Sequence, residues 1–184
     1  RKGPLSLSLN QGGGYVNWKS LDPYPNIQLY FNPLTYSVSF KNKRPLLNTD
    51  KFNGFIIGFN SCRPKSLGEV NLQNIDNNYL PSIDPRYLSD ERDIHDLYST
   101  FDFIRKFSLN KNISNIIKSP VNIDPIKLSD DELLDHFKLN ATTIYHPCGT
   151  CRMSKEVNTG VVSEKLKVHG LDNLWIVDAS IMPN

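Results

Sequence analysis

Two kinds of periodicity divide this chain, and their order restricts its fold more than any other feature. Up to about residue 75 the apolar residues alternate or cluster in short β-branched and aromatic runs. From Ser89 to Leu139 they recur every three or four residues. Past Asn140 neither pattern holds. Strands followed by helices, with no regular β-α alternation, predict an α+β fold: an antiparallel sheet backed by helices, followed by a loop-rich segment.

The strand-like runs are Tyr15-Val16-Asn17-Trp18, Ile27 to Phe31, Tyr36 to Phe40, Phe52 to Phe59 and Gly68 to Leu72. Turn signals separate them: Asp22-Pro23-Tyr24-Pro25, Asn32-Pro33 and Arg63-Pro64-Lys65. Short connections predict an antiparallel sheet with one covered face, and Phe52 to Phe59 reads as a central strand. Ser89 before Asp90, Glu91 and Asp93 predicts a helix start, with Ile94, Leu97, Tyr98, Phe101, Ile104 and Ser108 on one stripe. Ser129-Asp130-Asp131-Glu132 is a capping box that opens a second helix carrying Leu133, Leu134 and Phe137. A short helix is expected within 110–119. In the tail, Gly160-Val161-Val162 and Leu174-Trp175-Ile176-Val177 read as short strands, the latter buried and ending at Asp178.

Composition removes several function classes. A net charge of +2 with no Lys/Arg block offers nucleic acid no basic stripe. No run of about 18 apolar residues exists to form a transmembrane helix. Arg1-Lys2-Gly3-Pro4 is not followed by the apolar stretch of a signal peptide. Three cysteines, Cys62, Cys148 and Cys151, cannot all pair, which points toward a reducing compartment and a cytoplasmic or peripheral-membrane location. The sequons at Asn112 and Asn140 carry little weight in an Asn-rich chain.

The chemistry-bearing residues concentrate in the tail. His146 is a candidate base, because imidazole titrates near neutral pH. Pro147 and Gly149 flank it with, respectively, a fixed and a permissive backbone. Cys148-Gly149-Thr150-Cys151 has the spacing of a redox dithiol but lacks that motif's strand-helix setting. With His146 and His169, the two cysteines form an alternative set of zinc ligands; more simply, they are small buried thiols. Asp178 suits either a hydroxyl-bearing ligand or the capping of the next turn. Arg152 pairs with a carboxylate or contacts a cofactor. His95 and His136 read as surface residues on polar helix faces, and His169 as a solvated loop residue.

The stretch Tyr145-His146-Pro147-Cys148-Gly149-Thr150-Cys151-Arg152-Met153, followed by Leu174-Trp175-Ile176-Val177-Asp178-Ala179-Ser180-Ile181-Met182-Pro183, resembles the C-terminal signature of the glucose-methanol-choline (GMC) family of flavin-dependent alcohol oxidoreductases. Other segments resemble that family's substrate domain: Arg1 to Leu5, Gly12 to Val16, Gly58 to Leu72 and Ile83 to Asp90. The N-terminal half is similar to choline dehydrogenase-like and alcohol dehydrogenase-like members.

The resemblance implies a substrate-binding domain over 1–140, its sheet in 1–75 and its helices in 89–139. It implies that 141–184 is a catalytic and flavin-contacting segment that returns to an FAD-binding Rossmann-like domain. His146 matches the catalytic base, while Tyr145, Asp178 and Ala179 match positions near the FAD. The implied reaction takes a small-molecule primary or secondary alcohol and moves hydride to FAD. Oxygen, a quinone or another carrier then receives the electrons. Two departures stand out. No G-x-G-x-x-G fingerprint is present, and the family's second catalytic residue, a His or Asn, would fall beyond Asn184. The chain therefore reads as a fragment, one expected to bind FAD weakly or not at all and to be inactive by itself.

Overall fold

The computed structural model describes residues 10–41, 44–73 and 80–183. The segment Arg1 to Leu5, part of the family resemblance, lies outside them. The fold is α+β, with antiparallel sheets throughout the described residues. The chain divides into two units, Arg1–Ser66 with Leu88–Phe137, and Leu67–Tyr87 with Lys138–Asn184.

The first unit contains β1 (Gly12–Val16), β2 (Ile27–Asn32), β3 (Tyr36–Lys41), β4 (Arg44–Thr49) and β5 (Ile56–Ser61), then α1 (Glu91–Leu109) and α2 (Lys111–Ser114). A three-stranded antiparallel sheet has the order β1-β2-β5. The hairpin β3-β4 stands apart as a two-stranded ribbon. One continuous sheet was expected; the chain instead leaves the first sheet after Asn32 and rejoins it at Ile56. The apolar run from Phe52 forms strand only from Ile56 onward. The first strand begins at Gly12 rather than Tyr15, since β1 follows its pairing with β2, from Gly12 opposite Phe31 to Val16 opposite Ile27. β4 escaped sequence reading because Arg44-Pro45-Leu46-Leu47-Asn48-Thr49 lacks clean alternation.

Register decides which face is covered. Ile27 lies opposite Ser61, and Leu29 opposite Phe59. Paired residues share a face. The Phe59 ring meets Phe101 of α1 edge-on, at 6.4 Å between centroids. It stacks on Phe137 at 5.8 Å. Phe137 belongs to α3 (Asp130–Asn140). The core joins Leu97 and Phe101 of α1 to Leu133 and Leu134 of α3, with Ile94, Tyr98, Ile123 and Leu128 around them. The predicted stripe on α1 is therefore the one that packs.

Both helix starts follow from local chemistry. Asp90 caps α1, its carboxylate accepting the Arg92 N–H at 2.8 Å. The capping box opens α3: Ser129 N–H donates to Glu132 Oε2 at 2.8 Å, and Glu132 N–H donates to Ser129 Oγ at 3.3 Å. Acidic side chains of α1 then hold loops in place. Asp93, buried, accepts the backbone N–H groups of Lys65 at 2.7 Å and Ser66 at 2.9 Å, and the Ser66 hydroxyl. Asp96 accepts from Asn26 Nδ2 at 3.0 Å and from Ser61 Oγ at 3.3 Å. His95, expected at the surface, is half-buried, its Nε2 lying 3.0 Å from the Lys19 carbonyl.

The second unit contains the hairpin of β6 (Glu69–Asn71) and β7 (Ser82–Asp84), with Val70 opposite Ile83. Past α3 it is loop-rich, as expected. Isolated bridges link Met153 to Val162, Val162 to Val168 and Lys167 to Trp175. Val162 is fully buried at the centre of these crossings. Gly160 is needed beside it, because a Cβ there would lie 2.5 Å from Ser154 Cβ. The expected buried strand at Leu174 to Val177 is not found. Only Trp175 forms a bridge, and Leu174, Trp175 and Val177 are exposed. An apolar run reports hydrophobicity, not which surface covers it.

Candidate active site

Two stretches far apart in sequence meet in the second unit. Cys151 N–H donates to the Ser180 carbonyl at 2.9 Å, and Met153 N–H to the Ile181 carbonyl at 2.8 Å. Gly149, at φ +83°, sits so close that a Cβ would lie 3.4 Å from the Met182 carbonyl oxygen. These contacts join the stretch beginning at Tyr145 to the one ending at Met182.

His146 stands exposed at the start of the first stretch. None of the described residues hydrogen-bonds its ring. Tyr145 before it has a left-handed backbone, φ +60°, and a side chain 79% exposed. Thr143, which sequence reading did not single out, accepts the Tyr145 N–H on Oγ1 at 3.0 Å. A Thr two residues before a left-handed position is the available sequence signal for such a turn.

Asp178 opens a 3-10 turn over Ala179–Ile181. Its Oδ1 accepts the Ser180 N–H at 2.8 Å and also the Ser180 hydroxyl. The hydroxyl bond first, and then the backbone bond, hold the Asp178 carboxyl below its ordinary range. The capping role is thus realised, with the carboxylate exposed at the protein surface. Ala179 is likewise exposed.

Nothing in the structure supports the zinc alternative. Among the described residues no group of three His, Cys, Asp or Glu side chains could hold a metal ion. His169 is half-buried rather than solvated, with Nε2 3.0 Å from the Ser154 carbonyl. Cys148 and Cys151 are free thiols, and Cys148 is exposed rather than buried. Among the described residues Arg152 forms no ion pair with a carboxylate; its Nε donates to the Thr159 carbonyl at 2.8 Å.

Val177 and Met182 present exposed apolar side chains next to an ionised carboxylate, and Tyr145 adds an exposed ring on the joined stretch.

Residues 64–184 match the family model described as GMC oxidoreductase. The chain belongs to the GMC oxidoreductase family. It is 35% identical to an alcohol dehydrogenase [acceptor] of Pseudomonas putida over 100% of this chain and 32% of that protein. It is 33% identical to an oxygen-dependent choline dehydrogenase of Cronobacter sakazakii, over 94% of this chain and 30% of that one. The chain thus spans about a third of the length of these curated GMC relatives. Among solved structures, pyridoxine 4-oxidase from Mesorbium loti superposes with a TM-score of 0.72 at 26% identity, covering 96% of this chain and 34% of that one. Formate oxidase of Aspergillus oryzae, described for the modification of its FAD, gives 0.71 at 28% identity, covering 88% of this chain and 28% of that one. FAD is the cofactor of GMC homologues.

Proposed function

We propose that this chain is the substrate-binding and catalytic part of an FAD-dependent oxidoreductase that oxidises a primary or secondary alcohol, with His146 as the base. The observation that carries this reading is the joining of the two signature stretches through Cys151 and Ser180, which leaves the His146 imidazole exposed and unbonded by the described residues. Residues 1–140 serve substrate binding, and 141–184 serve catalysis and flavin contact.

FAD, when bound, supplies the hydride acceptor. Tyr145, Asp178 and Ala179 are the residues that would hold it: an aromatic face, an ionised hydrogen-bond acceptor and a small side chain that permits close approach. His146 takes the proton from the substrate hydroxyl, which raises electron density on the carbinol carbon. Pro147 keeps the backbone after His146 rigid while it does so. Oxygen, a quinone or another carrier takes up the electrons. The relatives named for alcohol and choline support a small hydroxyl-bearing substrate.

The test is anaerobic addition of a panel of alcohols to the intact protein, followed by visible absorption. Bleaching of flavin bands with one alcohol class, slowed by about 100-fold or more in His146→Ala, supports the proposal. Flavin bands that no alcohol bleaches would overturn the reaction class, and equal rates in His146→Ala would overturn the role of the base.

A further inference from the structure

The orientation of His146 is set from outside its own side chain. No described residue hydrogen-bonds its ring, so its direction comes from the backbone on either side. On the C-terminal side Pro147 restricts His146 toward extended conformations. On the N-terminal side Tyr145 is held at φ +60°, a conformation unfavourable for any residue with a Cβ. Such a backbone persists only when its surroundings enforce it. The contact that does so is the bond from Tyr145 N–H to Thr143 Oγ1, at 3.0 Å. Thr143 itself is half-buried, so its χ1, already limited by β-branching, is further restrained.

We infer that Thr143 is a positioning residue for the reaction: its hydroxyl holds the left-handed turn at Tyr145 that aims the His146 imidazole. The inference rests on the proposed role of His146. Losing the bond frees Tyr145 to relax toward a right-handed or extended backbone. The imidazole, one residue further on, turns with it. A small displacement of a catalytic group costs rate more than it costs binding.

The experiment uses the intact flavoprotein and compares Thr143→Val, which removes the hydroxyl at constant shape, with Thr143→Ser, which keeps it. Thr143→Val is expected to slow flavin reduction by about tenfold, measured per bound flavin, the ratio equivalent to one ordinary hydrogen bond, with KM unchanged. Thr143→Ser should stay within about threefold of wild type. In a His146→Ala background Thr143→Val should slow the reaction no further, because both act through one group.

Wild-type rate in Thr143→Val, equal slowing in Thr143→Ser, or a full additional loss in the His146→Ala background would each overturn the inference. If Thr143→Val does not fold, Thr143→Ala takes its place: slowed reduction beside a full rate in Thr143→Ser supports the hydroxyl's role, and a wild-type rate overturns it. A His146→Ala protein that reacts at wild-type rate would remove the base reading itself. That outcome is distinct from failure of the Thr143 variants beside a slow His146→Ala.

Discussion

The Cys151 amide donates to the Ser180 carbonyl at 2.9 Å, and that one bond brings together two stretches separated by the whole Val162 crossing. The same Ser180 also bonds Asp178 through its amide and hydroxyl. Ser180 thus fixes the carboxylate on one side and the His146 stretch on the other. Met153 to Ile181, at 2.8 Å, repeats the link one step along.

Gly149 should not tolerate a side chain. It adopts φ +83°, a left-handed backbone that side chains with a Cβ disfavour. Gly149→Ala is expected to cost about 1–2 kcal/mol from the left-handed backbone. It should also lower the rate of flavin reduction by loosening the junction of the two stretches. Thermal unfolding and stopped-flow reduction on the same preparation measure both.

Asp93 should be more sensitive than its place near a helix start suggests. Its two oxygens accept two backbone amides and a hydroxyl from Lys65 and Ser66 while buried. Asp93→Asn turns one acceptor into a donor that faces donors, and the expected loss is about 2–3 kcal/mol. Urea denaturation reads it; a change below about 0.5 kcal/mol would contradict the clasp.

Ser129 tests the capping box. Ser129→Ala removes the acceptor for the first amides of α3 and is expected to cost about 1 kcal/mol, whereas Ser129→Asp should cost less than half of that. Matched thermal melts of the two variants give the comparison.

The ion cluster at Asp102 predicts a pH dependence. The Trp18 indole N–H, at 2.8 Å, and then Lys19, at 3.0 Å, hold the Asp102 carboxyl below its ordinary range. A carboxyl lowered in the folded state stabilises that state above the ordinary carboxylate pKa, and the contribution fades as pH falls through the folded value. Asp102→Asn should therefore be less stable than wild type near neutral pH. The gap should close under acid. Urea midpoints at about pH 7 and about pH 3 check this, and a gap that widens in acid would contradict the sign.

Much of the fold was legible because its signals are local. The Ser129 capping box, the acids opening α1 and the stripe through Leu97 and Phe101 depend on residues one to four apart, and each forms as read. The failures share a cause. Arg44–Thr49 pairs because Tyr36–Lys41 lies beside it, not because of its own pattern. Leu174 to Val177 is apolar, yet nothing in the run says whether another surface covers it. His95 and His169 look like surface residues until Lys19 and Ser154 place a carbonyl beside each ring.

By itself the sequence determined the α+β class, the helix starts, the family signature and the candidacy of His146, Tyr145, Asp178 and Ala179. These rest on residue identity and short-range spacing. Only the tertiary structure decided that the sheet splits after Asn32, that Phe59 lies on the covered face and that Cys151 meets Ser180. It also decided that His146, Cys148, Cys151 and His169 are not gathered into a group that could hold a metal ion. Each of these depends on which distant backbone groups come within hydrogen-bonding or packing distance, and one-dimensional spacing carries no record of that.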